Sequence, residues 1–259
     1  MPELRVDVAG AVATLTIDNA GRRNALSGVM WDSFAPLLAP LAVDPAVAVL
    51  VVRGAGEDFS AGADIRDLDQ ILRDPGAGDG GHVTAGENAL AAFPKPTIAA
   101  IDGYCVGGGW ELAGACDIRL ASERSTFGVT PARLGILYPL TGMTRLVQLA
   151  GPAAAKHLIL SGELVDAATA ARWGMVSRLL PVSGFWQSIS AFVDTLVTRS
   201  RLTQQASKEL IDLIATGDPA LADRAAFWDS QVAASDEAGV GAAAFLAREA
   251  PQFPWREIP

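Results

Sequence analysis

Two short segments carry most of the residues able to do chemistry. One is FSAGADI (59–65), a small-residue turn. The other is IAAIDGYCVGGGWE (98–111), in which an apolar stretch runs into Gly107, Gly108 and Gly109 and then Glu111. Three glycines ahead of a helix let a ligand approach the backbone closely. The first N–H groups of that helix have no internal partner, and the helix dipole favours negative charge there. A second N–H from the small-residue turn would complete an oxyanion hole, in which each donor is worth about 10²–10³ in rate. Glu111 falls in the first turn, where a carboxylate can serve a reacting carbon. The physics alone also allows a plain packing role for the glycines and a solvated Glu111.

Other chemistries are poorly served. Gly76, Gly78 and Gly81 satisfy G-x-G-x-x-G by letter, but no strand precedes them, as a dinucleotide fingerprint requires. There is no phosphate-binding Walker sequence and no G-x-S-x-G elbow. The two histidines, His82 and His157, read as bystanders, so neither a triad nor a histidine metal site is expected. Cys105 and Cys116 match neither a disulfide framework nor zinc spacing and read as packing thiols.

The elements that must position these residues follow from patterning. AVATLTI (11–17) alternates as a half-buried strand does. Ser27 can cap a helix reaching Val43, bent or shortened by Pro36 and Pro40. AVAVLVVRG (46–54) reads as a strand buried on both faces. A short helix is expected over Asp64–Leu72, a mobile glycine-rich loop over 73–86, and a helix over 86–93. Strands are expected at TIAAI (97–101) and DIRLAS (117–122), with a helix over Trp110–Cys116 between them. This is an α/β layout. From 142 onward the pattern is helical apart from a strand near Met175–Leu180. Ala206, Leu210 and Ile214 share one helix face, and the apolar tail is expected to dock on another subunit.

The chain has 259 residues, half of them hydrophobic, with 20 Lys and Arg against 29 Asp and Glu, a net charge of −9. That balance argues against a nucleic-acid backbone as partner. No apolar run reaches about 18 residues, so no membrane span is expected. MPELRVDVAG lacks the basic start and apolar core of a signal peptide. A cytoplasmic protein without a metal is the expectation.

The two segments resemble the oxyanion-hole motifs of the crotonase (enoyl-CoA hydratase/isomerase) superfamily, and residues 98–118 resemble its signature. RRNALS (22–27) resembles its coenzyme A-binding turn, residues 151–181 its following helices, and AAAFLAREAPQF (242–253) its C-terminal close. The resemblance implies an α/β fold, a spiral of ββα units over 1–198 with a helical trimerisation region over 199–259. It implies homotrimers, or hexamers made of two trimers. It implies an acyl-CoA thioester as substrate, with no further cofactor. The Ala61 and Gly108 N–H groups would hold the thioester oxygen. Backbone around Ala25, Ala63, Asp64 and Ile65 would face the adenine end of coenzyme A, and Trp110 and Pro131 would line the acyl pocket. Glu111 matches the first of two catalytic glutamates.

The second glutamate is missing, because Pro131 stands in its place, twenty residues after Glu111. A positioned acid or base supplies about 10²–10⁴ in rate. TPARLGILYPL (130–140) instead resembles a segment of the superfamily's methylmalonyl-CoA decarboxylases, with Tyr138 on the tyrosine implicated there, although Ala63 replaces their histidine. Hydration or isomerisation of an enoyl-CoA is the family default. Decarboxylation of a malonyl-type thioester is the alternative. A non-catalytic acyl-CoA- or RNA-binding member is the rival from another class.

Overall fold

The computed structural model describes residues 2–72 and 80–255. The chain opens with a hairpin, β1 (Glu3–Ala9) and β2 (Val12–Asp18), turning at Gly10 with φ 57. β1 was not expected, although Leu4, Val6 and Val8 alternate with polar residues and Leu4 and Val6 pack on the core. The predicted helix after Ser27 splits into α1 (Gly28–Asp32) and α2 (Phe34–Val43). Ser27 caps the first, accepting from the Met30 N–H, and Pro36 and Pro40 both lie within the second. β3 (Val49–Gly54) is buried along almost its whole length. Ile65–Asp67 forms a 3₁₀ turn capped by Asp64 and leads into α3 (Leu68–Leu72).

α4 spans Gly81–Ala91, so the loop expected over 73–86 is helix from Gly81 onward. Gly86 had suggested a turn, but it serves packing. A Cβ there would lie 2.9 Å from Trp31 Cε3, so the glycine lets α4 lie close on α1. Residues 73–79, with Gly76 and Gly78, lie outside the described residues, and Gly81 begins α4.

The central region repeats one pattern. β4 (Thr97–Ile101), β5 (Tyr104–Val106) and α5 (Gly108–Ala115) are followed by β6 (Ile118–Ser122), β7 (Thr126–Gly128) and α6 (Pro131–Leu134). α7 (Leu140–Ser161) kinks at Gly151-Pro152. Then come β8 (Leu164–Asp166), which patterning missed, α8 (Ala167–Arg172), capped by Asp166, and β9 (Arg178–Leu180). The first strand of each repeat joins one sheet, ordered β1-β2-β3-β4-β6-β9 among the described residues and parallel from β2 onward. The second joins a small sheet, β5-β7-β8. The chain therefore winds as a spiral. Single bridges, Ser60 to Cys105 and Leu26 to Ala63, bring the two sequence motifs into the small-sheet layer.

Both faces of the large sheet are covered, which explains the unbroken apolar run in β3. Leu50, Val52, Ala99 and Ile101 face the main core. Val49, Val51, Ile98, Ala100 and Leu120 pack against Phe185, Ile189 and Val193 of α9 (Phe185–Val197). The chain ends in α10 (Arg201–Thr216), α11 (Leu221–Ala234) and α12 (Glu237–Ala247). Lys208 ties α10 to Asp117 at 2.9 Å. The predicted face of α10 runs out of the core, with Ala206 buried, Leu210 half-buried and Ile214 exposed. Among the described residues no helix is long and apolar enough to cross a membrane, and no cluster of metal-ligating side chains forms.

Candidate active site

The turn after β3 is fastened by a buried asparagine. Asn24 Nδ2 donates to the carbonyls of Ala55 and Asp58, at 2.8 and 2.6 Å, and Asp58 Oδ1 accepts from the Tyr104 N–H at 2.9 Å. RRNALS thereby locks FSAGADI against the start of β5. The backbone donors of the turn can then be followed one at a time. Ser60 N–H donates to Tyr104 O (2.8 Å), Ala61 N–H to Arg23 O (2.8 Å), Gly62 N–H to Ser60 Oγ (3.1 Å), and Asp64 N–H to Leu26 O (2.8 Å). Only the Ala63 N–H of this run has no bond among the described residues.

This corrects the expectation for Ala61. Its N–H already holds the Arg23 carbonyl, so it is not available to a ligand. Ala63, expected at the adenine end, supplies the available donor instead. Across from it, the Gly108 N–H at the first position of α5 likewise has no bond among the described residues. The two backbones pass closely. A Cβ on Gly62 (φ +97) would lie 2.8 Å from Gly108 N, and one on Gly108 would lie 3.2 Å from Ala63 N. Only glycine permits that approach. The Trp31 ring backs the pair, 2.8 Å from the same Gly108 Cβ position.

Glu111 is buried in the first turn of α5. α7 reaches it through Gly142, where a Cβ would fall 2.7 Å from Glu111 Cγ and 3.1 Å from Tyr138 Cε1. Tyr138 is buried, and its single hydroxyl proton faces two acceptors, Gly107 O at 3.0 Å and the Glu111 carboxylate. Burial, and then the Glu111 and Glu87 carboxylates, push its phenol well above the usual tyrosine range, so it stays neutral. Behind it Glu87, fully buried on α4, accepts from Thr141 Oγ1 at 2.7 Å and pairs with Arg145. Burial outweighs these partners and raises the Glu87 carboxyl above the usual range.

The chain belongs to the enoyl-CoA hydratase/isomerase family. The model of that family matches residues 7–256, and the superfamily is the crotonase one its motifs resemble. The protein named "Probable enoyl-CoA hydratase" of Mycobacterium leprae is 34% identical over 256 residues, 97% of each chain. The 2,3-dehydroadipyl-CoA hydratase of Escherichia coli is 31% identical over 264 residues, 99% of this chain and 100% of that one. Among solved structures, an enoyl-CoA hydratase/isomerase family member superposes with a TM-score of 0.94 at 40% identity, covering 100% of this chain and 98% of that one. A family protein from Hyphomonas neptunium gives 0.90 at 32% identity, covering 99% and 98%.

Other expected family positions are only partly brought together. Ala25, Ala63 and Asp64 sit side by side through the Leu26–Ala63 bridge, and Ile65 is exposed beside them. Arg22, from the RRNALS turn, and Arg66, which motif reading passed over, both pair with the buried Asp64 at 3.1 and 2.6 Å and give this edge a cationic rim. Trp110, expected at the acyl pocket, packs in the main core. It is wholly buried, edge-on to Phe127 at 6.5 Å, because its place on α5 faces the core. Pro131 is buried at the first position of α6, where its missing N–H has no cost. A cavity of about 1120 Å³ lies between α7 and α10, lined in part by Thr141, Arg145, Lys208 and Ile211; Glu111 and Ala63 do not line it. Glu87 and Gly142 had no sequence signal, since each acquires its neighbours only when helices distant in sequence meet.

Proposed function

We propose that this enzyme of the hydratase/isomerase family binds an acyl-CoA thioester and stabilises its enolate between the Ala63 and Gly108 N–H groups. The observation that carries the reading is that pair of available donors on adjoining backbones, with the buried Glu111 one helical turn away. Aimed at a developing oxyanion, each donor supplies about 10²–10³ in rate. Pro131 leaves Glu111 as the one carboxylate matching the family pair, so it has both proton transfers to perform. In hydration it takes a proton from water as oxygen bonds to C3, then returns a proton to C2 of the enolate. The backbone of Ala25, Asp64 and Ile65, edged by Arg22 and Arg66, receives the coenzyme A portion. The thioester is the substrate and no further cofactor is needed.

A second reading is favoured by Pro131 specifically. Loss of carbon dioxide from a malonyl-type thioester yields an enolate without a base, so a site with one family carboxylate suffices. The test is turnover of crotonyl-CoA, a longer 2-enoyl-CoA, a 3-enoyl-CoA, malonyl-CoA and methylmalonyl-CoA, read by mass spectrometry. Gain of water or a moved double bond supports the first reading. Loss of carbon dioxide alone supports the second. Retention of acyl-CoA with no turnover refutes both and leaves a binding protein. Glu111→Gln is expected to lower kcat by about 10²–10⁴, and full turnover by that variant would remove Glu111 from the chemistry.

The same reading includes assembly and location. α11 buries no residue, and Phe245 and Leu246 of α12 are 83% and 82% exposed. Apolar surface of this kind marks an interface, and a homotrimer or a hexamer of two trimers would cover it. A cytoplasmic location belongs to the same reading.

A further inference from the structure

The peptide unit joining Gly107 to Gly108 is held from behind in an unusual way. Gly107 adopts φ 55, ψ −119, a conformation that side chains disfavour. Packing does not wedge it there, since a Cβ on Gly107 would meet nothing within 4 Å. Hydrogen bonds hold it instead. Its N–H donates to Gly128 O at 2.9 Å, and its carbonyl accepts from the Glu111 N–H at 3.2 Å and from the Tyr138 hydroxyl at 3.0 Å. A trans peptide is planar, with its C=O and N–H directed to opposite sides. Tyr138 therefore bonds the back of the same peptide whose N–H is the donor at Gly108.

We propose that Tyr138 is a positioning residue that orients and polarises the Gly107–Gly108 peptide, strengthening the Gly108 N–H as a donor to the thioester oxygen. This rests on reading Ala63 and Gly108 as the oxyanion donors. A hydrogen bond accepted by an amide carbonyl strengthens the donor on the same amide, by about 10–30% in condensed-phase estimates. A carbonyl has two lone pairs, so Tyr138 adds to the helical bond from Glu111 without displacing it. The neutral phenol keeps its proton and remains a donor. The hydroxyl also meets the Glu111 carboxylate, so lost turnover alone does not define its role, whereas the carbonyl shift of a bound thioester reports the oxyanion donors directly.

Tyr138→Phe keeps the packed ring and removes only the hydroxyl. The probe is butanoyl-CoA labelled with ¹³C at the thioester carbonyl, which has no double bond to hydrate, bound to the whole enzyme and read by isotope-edited infrared difference spectroscopy. The expected result is a carbonyl downshift in the wild type that is smaller in Tyr138→Phe. With an enoyl-CoA substrate, kcat falls roughly 3- to 10-fold while KM is unchanged. In protein labelled with ¹⁵N-glycine and free of ligand, the Gly108 amide proton resonance moves upfield in the variant. An unchanged carbonyl shift in the variant would overturn the proposal. So would a thousandfold loss of kcat with the shift retained, which would make Tyr138 a direct proton donor. A wild type that binds the thioester with no downshift overturns the donor pair itself, and this proposal with it.

Discussion

At the residue scale, the proposed chemistry depends on which amide is available. Ala61 and Ala63 are the same residue type two positions apart, and both lie in a turn of small residues. The Arg23 carbonyl, brought up by the Asn24 lock, engages one and leaves the other. Glu87 shows a similar dependence on neighbours. Its carboxyl is raised by burial despite Arg145 and Thr141, so the fold favours its protonated form. The stability associated with that group is fully present below the unfolded carboxyl value and is lost as pH rises through the raised folded value. Gln mimics the protonated form at every pH. Urea unfolding of Glu87→Gln and wild type at pH 4 and pH 7 should show the balance shifting in the variant's favour at the higher pH. A difference independent of pH would show that Glu87 is not perturbed in the fold.

At the scale of elements, the site is the meeting of three pieces: the turn after β3, the start of α5 and the start of α7. Glycines at the crossings set the distances. Gly142 allows α7 to lie directly on Glu111, where a Cβ would come within 2.7 Å of its Cγ. Gly142→Ala improves local helix propensity but overpacks that crossing, at a cost of about 1–3 kcal/mol. It is expected to lower the unfolding midpoint and to reduce turnover at least about tenfold by shifting Glu111. A variant with both unimpaired would show that the carboxylate tolerates displacement. Three glycines ahead of Glu111 were legible as a close backbone approach. The close approach at Gly142 was not, because a lone glycine in an apolar helix carries no such mark.

At the scale of the molecule, the spiral places one strand of each repeat in a sheet covered on both faces, and the smaller sheet gathers the site. The C-terminal helices stand partly outside this core. Light scattering should give a mass of three or six chains, and Phe245→Glu should shift it towards the single chain, because a buried charge without a partner costs several kcal/mol. A wild-type monomer at working concentration would remove the trimer from the reading.

The sequence by itself determined the α/β alternation, the buried central strands, the glycine-led helix with Glu111 and the family. Each rests on local periodicity or on a motif contained in one stretch of chain. Only the tertiary structure decided that Ala63 rather than Ala61 faces Gly108, that Trp110 belongs to the core, and that Tyr138 bonds the Gly107 carbonyl. Those outcomes depend on which hydrogen-bonding groups are already engaged by residues distant in sequence, and a linear pattern contains no record of that.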